Sequence, residues 1–169
     1  MTSKIIIGVM GPGENASPEI NEIAYELGAA IAQRGWVLLT GGRSFGVMDA
    51  AMKGATDHNG LTIGILPGDN LAGSSKYAHI KILTGLGSAR NNINVLSSHV
   101  IVVVGMTAGT ASEVGLAIKA NKKIIFLQQD ELSLSFFKKI GSYRIISTNT
   151  VAETVDQIKD FISLGQIAI

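Results

Sequence analysis

A chain of 169 residues is long enough to enclose a proper core and is read as a single domain over residues 1–169. Net charge is only +1 and the lysines and arginines are dispersed, which argues against nucleic-acid and membrane-surface partners. The absence of cysteine excludes disulfides, thiolate nucleophiles and thiolate metal sites.

Residues 5–9 form a short apolar strand, followed at once by Gly11-Pro12-Gly13. Pro18 opens a helix whose apolar positions, Ile20, Ile23, Ala24, Leu27, Ala30 and Ile31, recur at helical spacing until Gly35. A second strand at 36–40 leads into the turn Gly41-Gly42-Arg43-Ser44-Phe45-Gly46 and a helix at 47–55. A strand at 62–66 stops at Pro67-Gly68, a loop covers 70–77, and 79–83 is again extended. A helix from Arg90 to about Leu96 precedes the central strand at 100–104. Beyond it come a strand at 123–127, a helix at 134–140, a short edge strand at 144–146 and a closing helix at 151–164. Strands alternating with helices specify an α/β fold, Rossmann-like and doubly wound, with a mostly parallel sheet covered by helices on both faces.

The chain is organised around residues 100–113. Val100-Ile101-Val102-Val103-Val104 is β-branched throughout and too apolar on both sides to face water, so it reads as a buried parallel strand. Gly105 to Gly109 supplies a flexible turn, and Thr110 opens a helix that ends near Asn121. A strand entering a helix through such a turn puts unpaired N–H groups and the positive helix end at one point, which attracts phosphate. Glu113 stands three residues past Thr110, where a capping-box partner, a catalytic carboxylate and a ligand acceptor are all open readings.

In a doubly wound sheet, ligands bind beyond the carboxyl ends of the strands, near the switch in strand order. Gly11, Pro12 and Gly13, then Gly41, Gly42, Arg43 and Ser44, then Gly105, Met106, Thr107, Ala108, Gly109 and Thr110 all open on that edge. With Arg90 they are expected to form a site for an anionic, phosphate-bearing ligand. A charge-assisted hydrogen bond contributes roughly 1.5–3 kcal/mol, against about 0.3–1 kcal/mol for an exposed helix end. Arg43, Arg90 and the turn amides should therefore dominate affinity. A cation at a helix start opposes the dipole, so an anionic partner is the simpler explanation of Arg90. Thr110 reads mainly as a helix cap, and Ser74, Ser75 and Lys76 lie in a polar loop that is either a lid or a plain mobile loop.

His58, His79 and His99 have no metal-binding spacing and are assigned to surface or ordinary packing. The methionines Met10, Met48, Met52 and Met106 read as core or pocket filler. No Ser-His-Asp arrangement is readable and the Walker signature is absent. Hydrophobic residues make up 46% and mean hydropathy is +0.33, yet no run approaches the roughly 20 apolar residues of a membrane helix. The surplus apolar surface predicts a homo-oligomer of closed symmetry. The start Met-Thr-Ser-Lys shows no signal-peptide pattern, so a cytoplasmic setting is expected.

At Gly41-Gly42-x-x-x-Gly46-x-Met48 and Gly109-Thr110-x-x-Glu113, preceded by Arg90, the sequence resembles the LOG or "lysine decarboxylase-like" family. Its phosphoribohydrolases cleave the base from nucleoside 5′-monophosphates, and the resemblance gives Arg90 and Glu113 the catalytic roles in that case. Gly105-Met106-Thr107 stands where that family has Pro-Gly-Gly, and Asn91 where it has lysine. The stretches 8–13, 36–46, 84–97 and 104–110 more closely resemble the molybdenum cofactor carrier proteins of algae and cyanobacteria. That likeness implies a homotetramer or homodimer that binds and shields the molybdenum cofactor without turning it over, with molybdoenzymes as recipients. The metal in such a cargo is held by the pterin's own dithiolene sulfurs, so the protein grips only the phosphate and the pterin and needs no metal ligands or catalytic residues of its own.

Overall fold

The computed structural model describes residues 4–141 and 144–167. Seven strands form one sheet: β1 Ile6–Met10, β2 Val37–Thr40, β3 Thr62–Leu66, β4 Ile80–Leu83, β5 Val100–Val104, β6 Lys123–Leu127 and β7 Ile145–Thr148. Their order is β4-β3-β2-β1-β5-β6-β7, and every neighbouring pair is parallel. The connecting helices are α1 Pro18–Gln33, α2 Gly46–Asp57, α3 Asn91–Ser97, α4 Ala108–Lys119, α5 Glu131–Gly141 and α6 Val151–Ser163.

Alternation along the strands divides the interior into two cores. Val100, Val102 and Val104 face Leu27 and Ile31 of α1, Val47 and Met52 of α2, and Ile158 and Phe161 of α6. Ile101 and Val103 face Val95 of α3, Val114 and Ala117 of α4, and Phe137 of α5. All of β5 is buried, as its unbroken β-branched run requires. Each such side chain removed from water contributes about 1.5–3 kcal/mol, which anchors β5 between the two helical layers.

From β1 the chain winds outward through β2 to β4, and from β5 it winds the other way to β7. The strand order therefore switches between β1 and β5, and their carboxyl ends open a crevice where the loops diverge. Gly11 permits this opening. A Cβ there would collide with the Val104 carbonyl and the Val47 side chain, so only glycine lets the exit of β1 pass the exit of β5.

Three local details bear on the site, and the first corrects an expectation. The central helix starts at Ala108 rather than Thr110, because Thr107 takes the N-cap position and its Oγ1 accepts the Thr110 N–H at 3.3 Å. Thr110 is therefore not the cap, and Glu113 lies in the second turn, beyond the reach of a capping box. Arg90 stands at the head of α3 as expected, at its N-cap position, and it also closes the 3₁₀ turn Gly87–Arg90 that leads into that helix. The loop at 70–77 is joined to the turn after β2: Ser44 N–H donates to the Gly73 carbonyl and Ser75 N–H to the Gly42 carbonyl, while Arg43 bridges Ser74.

Candidate functional site

A cleft of about 160 Å³ lies at the switch point. The end of β1 and its loop contribute Val9, Met10, Gly11 and Gly13, and β2 with α2 contribute Gly41, Arg43 and Met48. The far wall is Arg90 and Asn91, with Thr107, Gly109, Thr110 and Glu113 from the start of α4. Capping by Thr107 satisfies the Thr110 amide, while the amides of Ala108 and Gly109, at the first two helical positions, have no carbonyl to meet within the helix. They add partial positive charge beside the arginines.

Arg90 is buried and its guanidinium reaches across the cleft floor. Its Nη1 donates to the carbonyls of Gly41 and Ile65, the second at 2.5 Å. These bonds tie the carboxyl ends of β2 and β3 together, so Arg90 is first a structural clamp on the rim. Nε and Nη2 make no hydrogen bond among the described residues, and they are the donors left for a ligand. Burial draws the Arg90 pKa below the usual arginine value, with the Glu113 carboxylate opposing that effect and the charge of Arg43 adding to it.

Glu113 is buried, and its Oε1 accepts a 2.8 Å hydrogen bond from Nδ2 of Asn94 on α3. Burial pushes its carboxyl pKa up to about 7, against the opposing pull of the Asn94 bond and the Arg90 charge. Oε2 makes no hydrogen bond among the described residues and faces the cleft. Asn94 is itself fully buried and its Oδ1 lacks a partner.

Arg43 is half-exposed at the cleft mouth, where it pairs with Glu14 at 3.2 Å and stacks over the Phe45 ring. An exposed pair of this kind contributes at most about 1 kcal/mol, so an incoming phosphate can compete for Arg43. The amide end of α2, in contrast, is already occupied. Gly46, at φ +54, brings the helix start against the Pro12 and Gly13 carbonyls, and the Val47 N–H donates to Pro12 at 3.0 Å.

The structure thus brings Gly11, Gly13, Gly41, Arg43, Arg90, Thr107, Gly109, Thr110 and Glu113 to one cleft. Pro12, Gly42, Ser44, Gly105, Met106 and Ala108 shape its turns but do not line it. Gly42 packs against Gly64, its φ of +74 closing the turn, and its amide bonds Thr40 Oγ1. Gly105 packs against Pro12 and Ile20. The lining residues Val9 and Asn91 were not singled out as ligand-facing by sequence, nor was Asn94 behind them; an asparagine inside a short amphipathic helix carries no signal without its tertiary partner. The histidines pack locally: Nδ1 of His99 accepts the Ile6 N–H, His58 meets the Gly54 carbonyl and His79 bonds Thr62. Among the described residues, no three acidic or histidine side chains gather to hold a metal, and no helix is long and apolar enough to cross a membrane.

Known proteins share this architecture. A molybdenum cofactor binding protein from the phototrophic bacterium Rippkaea orientalis superposes with a TM-score of 0.94 at 49% identity, covering 96% of this chain and 99% of that one. The molybdenum cofactor carrier protein of Chlamydomonas reinhardtii superposes with a TM-score of 0.91 at 47% identity, over 95% and 99% of the two chains. An uncharacterized protein of Archaeoglobus fulgidus is 43% identical over 122 residues, 72% of this chain and 79% of its own length. A cytokinin riboside 5′-monophosphate phosphoribohydrolase of Mycobacterium marinum is 46% identical over only 50 residues, 30% of this chain and 27% of its own. Residues 4–155 match the model of the SLOG cluster4 family, and the chain belongs to that family.

Proposed function

We propose that this chain, folded as one domain, is a carrier for the molybdenum cofactor, a phosphorylated pterin bearing molybdenum, and holds it without turnover. The observation that carries this reading is the near-full-length likeness, at 47–49% identity, to proteins described as binding or carrying that cofactor. The cleft supports it chemically. Arg43, the free donors of Arg90 and the α4 amides make an anion end for the phosphate, and a cargo whose metal is held by its own sulfurs asks for no metal ligands from the protein.

The enclosed volume of about 160 Å³ is below the roughly 300–1,000 Å³ of sites that bury a drug-sized ligand. One chain therefore grips an end of the cargo, and shielding the remainder calls for a further wall. A homo-oligomer, dimer or tetramer, supplies one. The reading places the carrier in the cytoplasm, delivering to molybdoenzymes and binding neither nucleic acid nor membrane. The phosphoribohydrolase alternative through Arg90 and Glu113 is disfavoured by Asn91 and by Gly105-Met106-Thr107, where the hydrolase signature is lost.

Mass spectrometry and oxidised-pterin fluorescence of the purified protein test the proposal. A phosphorylated pterin accompanied by molybdenum is the expected result, together with no release of base from AMP or cytokinin monophosphates. A bound nucleotide, or base release that disappears in Glu113→Ala, overturns it.

A further inference from the structure

The cleft contains one group that an anion site does not need. Glu113 places a carboxyl among donors otherwise suited to phosphate, and a negative charge there repels such a ligand. None of the ion pairs described includes it. Its only hydrogen bond among the described residues, from Asn94, fixes Oε1 and leaves Oε2 facing the cleft as an acceptor. A lone carboxyl is no metal site, and among the described residues Glu113 belongs to no group of three acidic or histidine side chains that could hold one. What satisfies a fixed carboxylate on the wall of a phosphate cleft is a ligand group that presents neighbouring N–H donors.

Resting on the pterin cargo proposed above, we propose that Glu113, oriented by Asn94, is the specificity residue for the ring end of the ligand, accepting the paired N–H groups of its 2-amino-4-oxopyrimidine edge. A pterin presents there an exocyclic amine beside a ring N–H, two donors at the spacing of two carboxyl oxygens. Oε1 retains a lone pair after accepting from Asn94, so both oxygens can take part. The upward-shifted carboxyl fits this role, because a buried carboxylate without donors is costly and gains by meeting them. Asn94 is a positioning residue: fully buried, it carries the orientation of the carboxyl from α3 to α4.

Equilibrium binding of 6-(hydroxymethyl)pterin phosphate and of its lumazine counterpart, in which an oxo group replaces the 2-amino group, tests the inference at pH 8. The wild-type chain should favour the pterin by about tenfold or more, the usual discrimination of a bidentate polar pair. Glu113→Gln, which exchanges one acceptor for a donor, should bring the two affinities within about twofold while both still bind. Asn94→Ala should narrow the preference part of the way. Equal affinities in the wild type, or a preference unchanged by Glu113→Gln, overturn this inference and leave the cargo reading standing. Failure of both compounds to bind the wild type overturns the pterin reading and this inference with it.

Discussion

The guanidinium of Arg90 occupies the space that a side chain on Gly41 would fill, and the Gly41 carbonyl accepts Nη1 of that guanidinium. One glycine therefore provides both the room for the arginine and part of its anchorage. Gly41→Ala should displace the guanidinium from the cleft floor. The expected outcome is a lower melting temperature together with loss of bound cargo, since a Cβ there has no empty direction to take. Calorimetry and pterin content of the purified variant measure both effects, and an unchanged melting temperature would separate residue 41 from the arginine.

Arg90→Ala removes the donor shared by Gly41 and Ile65 and leaves both carbonyls on a buried rim. Hydrogen bonds to a charged donor contribute about 1.5–3 kcal/mol each, so destabilisation of about 3 kcal/mol or more is expected in urea unfolding. Cargo affinity should fall about tenfold as well, corresponding to about 1.4 kcal/mol. Arg90→Lys supplies the charge without the planar fork and should recover less than half of either loss. Unchanged affinity in Arg90→Ala would limit the residue to its role as a clamp.

Glu113 makes stability depend on pH in the direction opposite to an ordinary surface carboxylate. Below about 4.5, the usual glutamate value, the group is protonated in folded and unfolded chains alike. Between 4.5 and about 7 the folded chain holds the proton that the unfolded chain has lost, so stability falls as pH rises through this window. Above it the contribution is flat. Urea midpoints measured from pH 4.5 to 8 should show this decline in the wild type relative to Glu113→Gln, which carries no titrating group at the position. Parallel profiles for the two proteins would mean that Glu113 is ionised at low pH and its burial is relieved.

The sheet was legible because its signal is local. The β-branched run of β5 and the glycine turns after β1, β2 and β5 announce buried parallel strands and one crowded edge. The cleft was legible to the extent that backbone turns define it, which is why Gly11, Gly41 and Arg43 line it. What escaped depends on contacts between distant segments. Arg90 meets carbonyls from residues 41 and 65, and Glu113 meets Asn94 rather than Thr110, three residues before it. Thr107 and Thr110 have the same chemistry, and the choice of cap between them is made by the extended backbone of Thr107, at φ −142, which periodicity does not reveal.

Thr107→Ala isolates that cap from the rest of the site. Loss of an N-cap hydroxyl costs about 1 kcal/mol, and a chain of this size loses about 2–4 °C in melting temperature for each kcal/mol. The variant also frees the Thr110 amide and hydroxyl, both of which Thr107 engages. Cargo affinity should therefore change less than stability. A larger loss of affinity than of stability would make the Thr107 hydroxyl a direct ligand contact.

Leu132, Phe136 and Ile140 stand four residues apart along α5 and are 82%, 56% and 52% exposed, forming an apolar stripe on one side of the helix. Beside it, Ala111 of α4 shares an apolar hollow with Leu132, Phe136 and Phe137. Such a stripe on a chain of mean hydropathy +0.33 is a surface on which the proposed homo-oligomer would gain by burial. Glu131 at one end of α5 and Lys138 and Lys139 at the other give an antiparallel pairing of two copies matching charges. Phe136→Glu puts a charge at the middle of that stripe, at a residue that does not line the cleft. Light scattering should report the wild type as a multiple of 17.7 kDa and the variant as a smaller species, while circular dichroism stays unchanged. A wild-type chain that scatters as a monomer would remove the oligomer, and a variant that keeps the wild-type mass would move the interface off α5.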